Sequence, residues 1–146
     1  MSISRKALCV AYGLIALLAL VGTWGNNVAY LSLGFVGANT TFWQETLVNP
    51  ASRSITVDLF FLGLAVFVWM VLEARRLRIG GVWIYVVLGL LIAISLFVPL
   101  FMIQRERKLA ALQPDSSAGS VTAADVVGIA LLGIVSMAYA ITALSR

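Results

Sequence analysis

Residues 56–74 read TVDLFFLGLAVFVWMVLEA. The stretch carries a carboxylate near each end, Asp58 and Glu73, and no charge between them. A run of about 20 mostly apolar residues is long enough to cross the hydrocarbon core of a bilayer as an α-helix. We therefore predict a membrane-spanning helix over Thr56–Ala74, with one carboxylate near each membrane surface.

The composition of the whole chain also indicates a membrane protein. It has 146 residues, of which 62% are hydrophobic and 11% charged, and its mean hydropathy is +1.03. A soluble domain carries about 25% charged residues. There is no His and only one Cys, Cys9, which excludes His-bound zinc, His-held haem, His general-base catalysis and an intrachain disulfide. We expect no metal or haem ligated by this chain, and the identity of any other cofactor stays open.

Three further apolar segments are candidate spans, at residues 7–24, 82–103 and 124–144. The first also begins like a signal peptide, but its apolar run is longer than usual and leads into Thr23 and Trp24, so we expect a retained helix. Within the first loop, residues 40–48 read TTFWQETLV and predict a short interfacial helix that begins with a capping box of Thr41 and Gln44. The predicted fold is all-α, with four transmembrane helices plus this interfacial helix.

The predicted organisation has three parts. Residues 1–112 form a membrane domain with three transmembrane helices, residues 113–120 a flexible linker, and residues 121–146 the fourth transmembrane helix. With both termini in the cytoplasm, six Lys and Arg residues lie inside and four outside, a weak form of the usual excess of positive charge on the inner side. This orientation leaves Arg105, Arg107 and Lys108 outside.

Two ion pairs are predicted from position. In a four-span arrangement, Asp58 at the start of the second span and Arg105 at the end of the third share one surface, so we expect them to pair. Arg53 is the second choice of partner, and a solvated Asp58 beside a snorkelling Arg105 is the alternative. Glu73 and Arg76 lie three residues apart on one helix, a spacing that favours an intrahelical pair.

Other polar and small residues are candidates for binding or packing. Asn26 and Asn27 interrupt an apolar stretch, and Pro99 interrupts the third span, where a kink would open either a pocket or a packing surface. With Trp43 they form a candidate ligand lining. On the fourth span, small residues permit close helix contact, namely Ala124, Gly128, Gly133 and Ser136.

The middle of the chain resembles a known family. The segments ETLVNPASRSITVDLFFLGLAVFVWMVLEARRL (residues 45–77) and PLFMIQRE (residues 99–106) carry the likeness. They resemble the small bacterial integral membrane proteins grouped as domain of unknown function twenty-eight thirty-four. The matching positions, within residues 40–106, are Asn49, Pro50, Asp58, Glu73, Arg75, Arg76, Pro99, Leu100, Arg105 and Glu106. The resemblance implies a compact helical membrane domain and supplies no activity.

Three functions fit these features to different degrees. We expect first a non-catalytic accessory subunit of a bacterial inner (cell) membrane, embedded in the bilayer and docked by its helices to another membrane protein or to itself. The alternative is a small enzyme or binding protein for a hydrophobic ligand such as a carotenoid, quinone or lipid. A small transporter ranks last, because such exporters depend on an ionisable residue deep in the membrane. Nucleic-acid binding is not expected, because the net charge of +4 is not gathered into a basic, aromatic-rich cluster.

Overall fold

The computed structural model describes residues 2–113, 119 and 121–146, and every regular element among them is a helix. Most of the predicted linker, residues 113–120, lies outside the described residues. The elements, in chain order, are α1 (Ile3–Asn27), a 3-10 helix (Val28–Leu33), α2 (Gly34–Glu45), α3 (Pro50–Leu77), α4 (Val82–Leu91), α5 (Ile94–Leu112) and α6 (Ala123–Leu144).

Three helical segments of the described chain are long and apolar enough to cross a membrane. They contain α1, α3 and α6, whereas α4 is a shorter apolar helix. At 1.5 Å per residue, the 28 residues of α3 reach about 42 Å, which exceeds the roughly 30 Å of a hydrocarbon core. The protein is therefore an all-helical membrane protein.

The predicted third span, residues 82–103, is not one helix. The backbone is extended at Ala93 (φ −170°, ψ 120°), between the end of α4 and the start of α5. The two helices then run antiparallel, because Tyr85 near the start of α4 contacts Phe101 of α5 with ring centroids 5.7 Å apart. We call α4 and α5 the hairpin. With ten residues, α4 is only about 15 Å long, which is half of the roughly 30 Å of a hydrocarbon core.

Contacts with α3 fix the direction of the hairpin. A Cβ placed on Gly63 would lie 2.9 Å from Cδ1 of Ile94, next to the tip of the hairpin. Ten residues further along α3, Glu73 contacts Arg105 near the end of α5. The start of α4 and the end of α5 therefore lie at the same end of the bundle as the C-terminus of α3, and the tip of the hairpin points away from it. Between α3, α4 and α5 lies a buried apolar core formed by Met70, Ala74, Leu77, Ile79, Val82 and Phe101.

The two chain termini lie at opposite ends of the bundle. Arg5 contacts Glu106 of α5 at one end. At the far end of α1, Gly22 lies against Ala140 and Gly25 against Leu144, so α1 and α6 run side by side in the same direction there. A shared side for both termini, as predicted, requires an even number of crossings, whereas α4 and α5 run antiparallel and return to the end of the bundle where they start.

Helix α3 begins at Pro50, whereas the span predicted from the sequence begins at Thr56. The Asn49 side chain accepts a hydrogen bond from the backbone N–H of Ser52, and Pro50 occupies the first helical position. Proline suits that position because its missing N–H would have no helical partner there and its φ is already helical. The segment from Asn49 to Arg53 therefore forms the start of a helix. As a result Asp58 lies in the third turn of α3, and its predicted place at the helix N-terminus is wrong.

The predicted short helix of the first loop is present as α2, but it begins at Gly34 rather than near Thr41. Gly34 has φ +70°, a left-handed conformation that glycine adopts without strain, and this separates α2 from the 3-10 helix. Thr41 consequently lies inside α2, where its side chain cannot cap the helix.

Candidate functional site

A charged cluster ties three helices together at one end of the bundle. It consists of Arg5 of α1, Glu73 and Arg76 of α3, and Arg105 and Glu106 of α5. Arg5 Nη1 lies 2.5 Å from Glu106 Oε2, and Arg105 reaches Glu106 and Glu73 at 2.6 Å each. Arg76 donates two hydrogen bonds of 2.6 Å to the two oxygens of Glu73. The contacts form one continuous chain of charges from α3 through α5 to α1.

The inner members of the charged cluster are buried. Arg5 is 6% exposed, Glu73 7% and Glu106 3%. Each buried carboxylate accepts hydrogen bonds from two guanidinium groups, and this satisfies charges that would be very costly to bury alone. The Arg105 guanidinium also lies 6.0 Å from the ring of Trp69, within cation–π range. The cluster therefore joins α1, α3 and α5 through buried, hydrogen-bonded ion pairs.

The predicted pair of Asp58 and Arg105 is corrected by this geometry. Arg105 contacts Glu73, which lies 15 residues from Asp58 on the same helix, a separation of about 22 Å. Asp58 is exposed, and it takes part in none of the ion pairs found in the described part of the chain. The error came from taking residues 82–103 as one span, which moved Arg105 to the wrong end of α3. Glu73 and Arg76 do contact each other, at the spacing that predicts an intrahelical pair.

The candidate ligand-lining residues occupy separate places. The Asn26 amide donates a 2.9 Å hydrogen bond to Gly22 of its own helix, and Asn27 is the last residue of α1. Trp43 of α2 stacks on Phe60 of α3, with centroids 5.6 Å apart. Pro99 is buried inside α5, and the break in the chain comes earlier, at Ile92 and Ala93. The structure does not bring these side chains together as one lining.

Trp24 has a role that sequence reasoning missed. Its indole N–H donates a 3.3 Å hydrogen bond to the backbone carbonyl of Ile92 at the tip of the hairpin. A backbone group without a partner is costly inside a bilayer. The position of Trp24 at the end of an apolar run is also typical of an aromatic belt, so nothing in the sequence indicates a contact 68 residues away.

A groove follows the outer face of the hairpin, and its volume is about 500 Å³. We call it the hairpin groove. Its wall is mostly apolar, and at one end lie Gln104 and Arg107, which flank Arg105 and Glu106 of the charged cluster in the sequence. The side-chain oxygen of Gln104 is buried and has no hydrogen-bond partner. The full lining is Ile84, Tyr85, Phe97, Leu100, Ile103, Gln104 and Arg107.

The small residues of α6 do not pack inside the protein. A Cβ placed on Gly128 or Gly133 would meet nothing within 4 Å, and Ala124 and Ser136 are exposed. Nearer the end of α6, Ala140 lies against Gly22 of α1. Within the described residues, no group of three or more His, Cys, Asp or Glu side chains is placed to hold a metal ion.

Comparison with known proteins finds one family. No curated protein and no solved structure matches the chain. The family model described as "Protein of unknown function DUF2834" matches residues 11–107, which is more than half of the chain and contains most of α1, all of α2, α3 and α4, and most of α5. The match includes Glu73, Arg76, Arg105 and Glu106 of the charged cluster and stops before α6. The chain therefore belongs to the family of proteins of unknown function DUF2834.

Proposed function

We propose that this protein is a non-catalytic subunit that assembles with another integral membrane protein through α6. The observation that supports the proposal is that α6 packs against little of the rest of the protein. None of its described residues is buried, and its contacts with α1 lie at its C-terminal end. Because the family match ends at residue 107, α6 also lies outside the domain that the family shares.

Exposure of an apolar helix to lipid is not itself a driving force for association. Helices in a bilayer associate by close packing, for which small residues allow the backbones to approach. Ala124 and Gly128 lie four residues apart on one face of α6, and Gly128 has open space around it. Ala140 faces α1 from another side of the helix. The helix thus has one face for α1 and a second face for a partner.

A bulky substitution on the second face tests this proposal. The tagged full-length chain, with or without Gly128→Leu, is produced in its own organism, cross-linked in membranes and purified in mild detergent. We expect a stoichiometric membrane-protein partner with the unmodified chain and its loss with Gly128→Leu, because leucine prevents close approach.

The control is Ala130→Leu, which adds bulk to the opposite face of α6 and should leave the complex intact. A chain that purifies alone, or a complex that survives Gly128→Leu, contradicts the accessory role.

The distribution of basic residues supports a specific orientation. Eight of the ten Lys and Arg residues lie at the end of the bundle that holds the charged cluster: Arg5, Lys6, Arg75, Arg76, Arg78, Arg105, Arg107 and Lys108. Arg53 and Arg146 belong to the other end. Because positive residues are enriched on the cytoplasmic side, we place the charged cluster and the N-terminus in the cytoplasm and the C-terminus outside the bacterial inner membrane.

A further inference from the structure

We propose that the hairpin groove binds one phospholipid with an anionic headgroup, held with its phosphate at Arg107 and an acyl chain along the hairpin. The proposal concerns a lipid site on α4 and α5 and is independent of the partner proposed for α6.

The groove has the length and polarity of one lipid leaflet. Its deepest residue on α5, Phe97, lies ten residues from Arg107, which is about 15 Å along the helix. Half of a hydrocarbon core of roughly 30 Å is the same distance. The wall between them is apolar, including Leu100 and Ile103, whereas the end beside the charged cluster carries Gln104 and Arg107. An apolar wall of one-leaflet depth with a polar, basic mouth fits an amphiphile that lies parallel to the bilayer lipids.

The mouth of the groove favours an anionic headgroup. Arg107 is exposed and takes part in no ion pair among the described residues, although the nearby arginines Arg5, Arg76 and Arg105 all do. A guanidinium can bind a phosphate through two parallel hydrogen bonds. Lys108 adds a second positive charge at the same end of α5. No acidic residue lines the groove to compete for these charges.

The buried side-chain oxygen of Gln104 further restricts which lipid headgroup suits the groove. It has no donor within the protein, and a buried acceptor without a partner costs about 1–3 kcal/mol. The hydroxyls of a glycerol headgroup supply such a donor next to the phosphate. A phosphatidylglycerol therefore accepts hydrogen bonds from Arg107 through its phosphate and donates one to Gln104 through a hydroxyl. The headgroup of phosphatidylcholine has no hydrogen-bond donor for Gln104.

Native mass spectrometry of the full-length chain in mild detergent tests the site, with dioleoyl phosphatidylglycerol and dioleoyl phosphatidylcholine as the titrated probes. We expect one tightly retained phosphatidylglycerol and weaker retention of phosphatidylcholine. Arg107→Gln should weaken retention of the first lipid about tenfold, because a charge-assisted hydrogen bond is lost. Arg78→Gln removes the same charge at the same end of the bundle, away from the groove, and should leave retention unchanged.

A second variant tests the apolar part of the groove. Leu100→Trp fills the wall without changing any charge, and we expect it to abolish the bound lipid, with circular dichroism to show that the helices remain. Millimolar inorganic phosphate should not displace the lipid. Equal retention of the two lipids, equal retention by the chain with and without Arg107→Gln, or displacement by phosphate alone would overturn the proposal.

Discussion

At the scale of single residues, Glu106 is the carboxylate of the charged cluster that connects α1 to α5. It is 3% exposed and contacts both Arg5 and Arg105, so it joins α1 to α5. Glu73 plays the same part between α3 and α5. Burial of these groups is tolerable only because each carboxylate has two guanidinium partners. The cluster is therefore most sensitive to the loss of a single carboxylate.

Glu106→Gln should strongly destabilise the protein. The substitution keeps the size of the side chain but leaves the buried Arg5 guanidinium without its carboxylate, a change that typically costs about 3–5 kcal/mol. Thermal unfolding of the purified chain in detergent, followed by circular dichroism, measures the effect. The matched control is Asp58→Asn, which neutralises an exposed carboxylate and should change stability by less than about 0.5 kcal/mol. Equal melting temperatures for the two variants would contradict a structural role for Glu106.

The two ion-pair predictions show what a sequence can supply at this scale. Glu73 and Arg76 are three residues apart on one helix, so local geometry alone brings them together. The partner of Arg105 depends on which way α5 runs through the membrane. No local pattern fixes that direction, and the mistaken span therefore led directly to the mistaken partner, Asp58.

At the scale of elements, the hairpin is the feature that could not be predicted from the sequence. Residues 82–103 are continuously apolar and of spanning length, and neither Gly nor Pro marks the break at Ile92 and Ala93. The turn is stabilised by distant contacts instead: Trp24 bonds to the carbonyl of Ile92, and Gly63 leaves room for Ile94. Both are contacts between helices, which hydrophobic periodicity does not encode. By contrast, α1, α3 and α6 were predicted as helices because each is a long apolar run.

Gly63→Leu should separate the hairpin tip from α3. Even a Cβ at this position would lie 2.9 Å from Cδ1 of Ile94, so leucine must displace the Ile94 side chain and disturb the packing of the tip on α3. Overpacking of this kind typically costs about 1–3 kcal/mol, measured as a lower midpoint in thermal unfolding. Gly13→Leu makes the same substitution in α1, where nothing lies within 4 Å, and provides the control. If both variants unfold at the same temperature, the hairpin tip does not pack on α3 as described.

At the scale of the whole molecule, the hairpin decides the topology. With four spans, the basic residues divide six to four between the two sides, and the group from Arg105 to Lys108 lies outside. With three crossings and the hairpin, the division becomes eight to two. An eight-to-two division fits the usual excess of basic residues on the cytoplasmic side better than a six-to-four division does.

Cysteine labelling in intact bacterial cells checks this topology. In a Cys9→Ser background, Ser145→Cys should react with a membrane-impermeant maleimide, because the proposed orientation places the C-terminus outside. Lys108→Cys and Gly80→Cys should react only after permeabilisation. Lys108→Cys distinguishes the hairpin from a third span, since a span over residues 82–103 would expose it on the outer surface. Labelling of Lys108→Cys in intact cells, or none at Ser145→Cys, would rule out the arrangement.

The ion pairs of the described residues all lie at one end of the bundle, whereas the far ends of α1 and α6 meet through Gly22, Gly25, Ala140 and Leu144. The two ends of the helix bundle, one in each leaflet, are therefore held together by different kinds of contact. One leaflet contains a junction held by ion pairs, whereas the contacts between α1 and α6 at the other end join apolar groups. A change in bilayer thickness should therefore be accommodated by tilt at the end where Ala140 and Leu144 of α6 lie against α1.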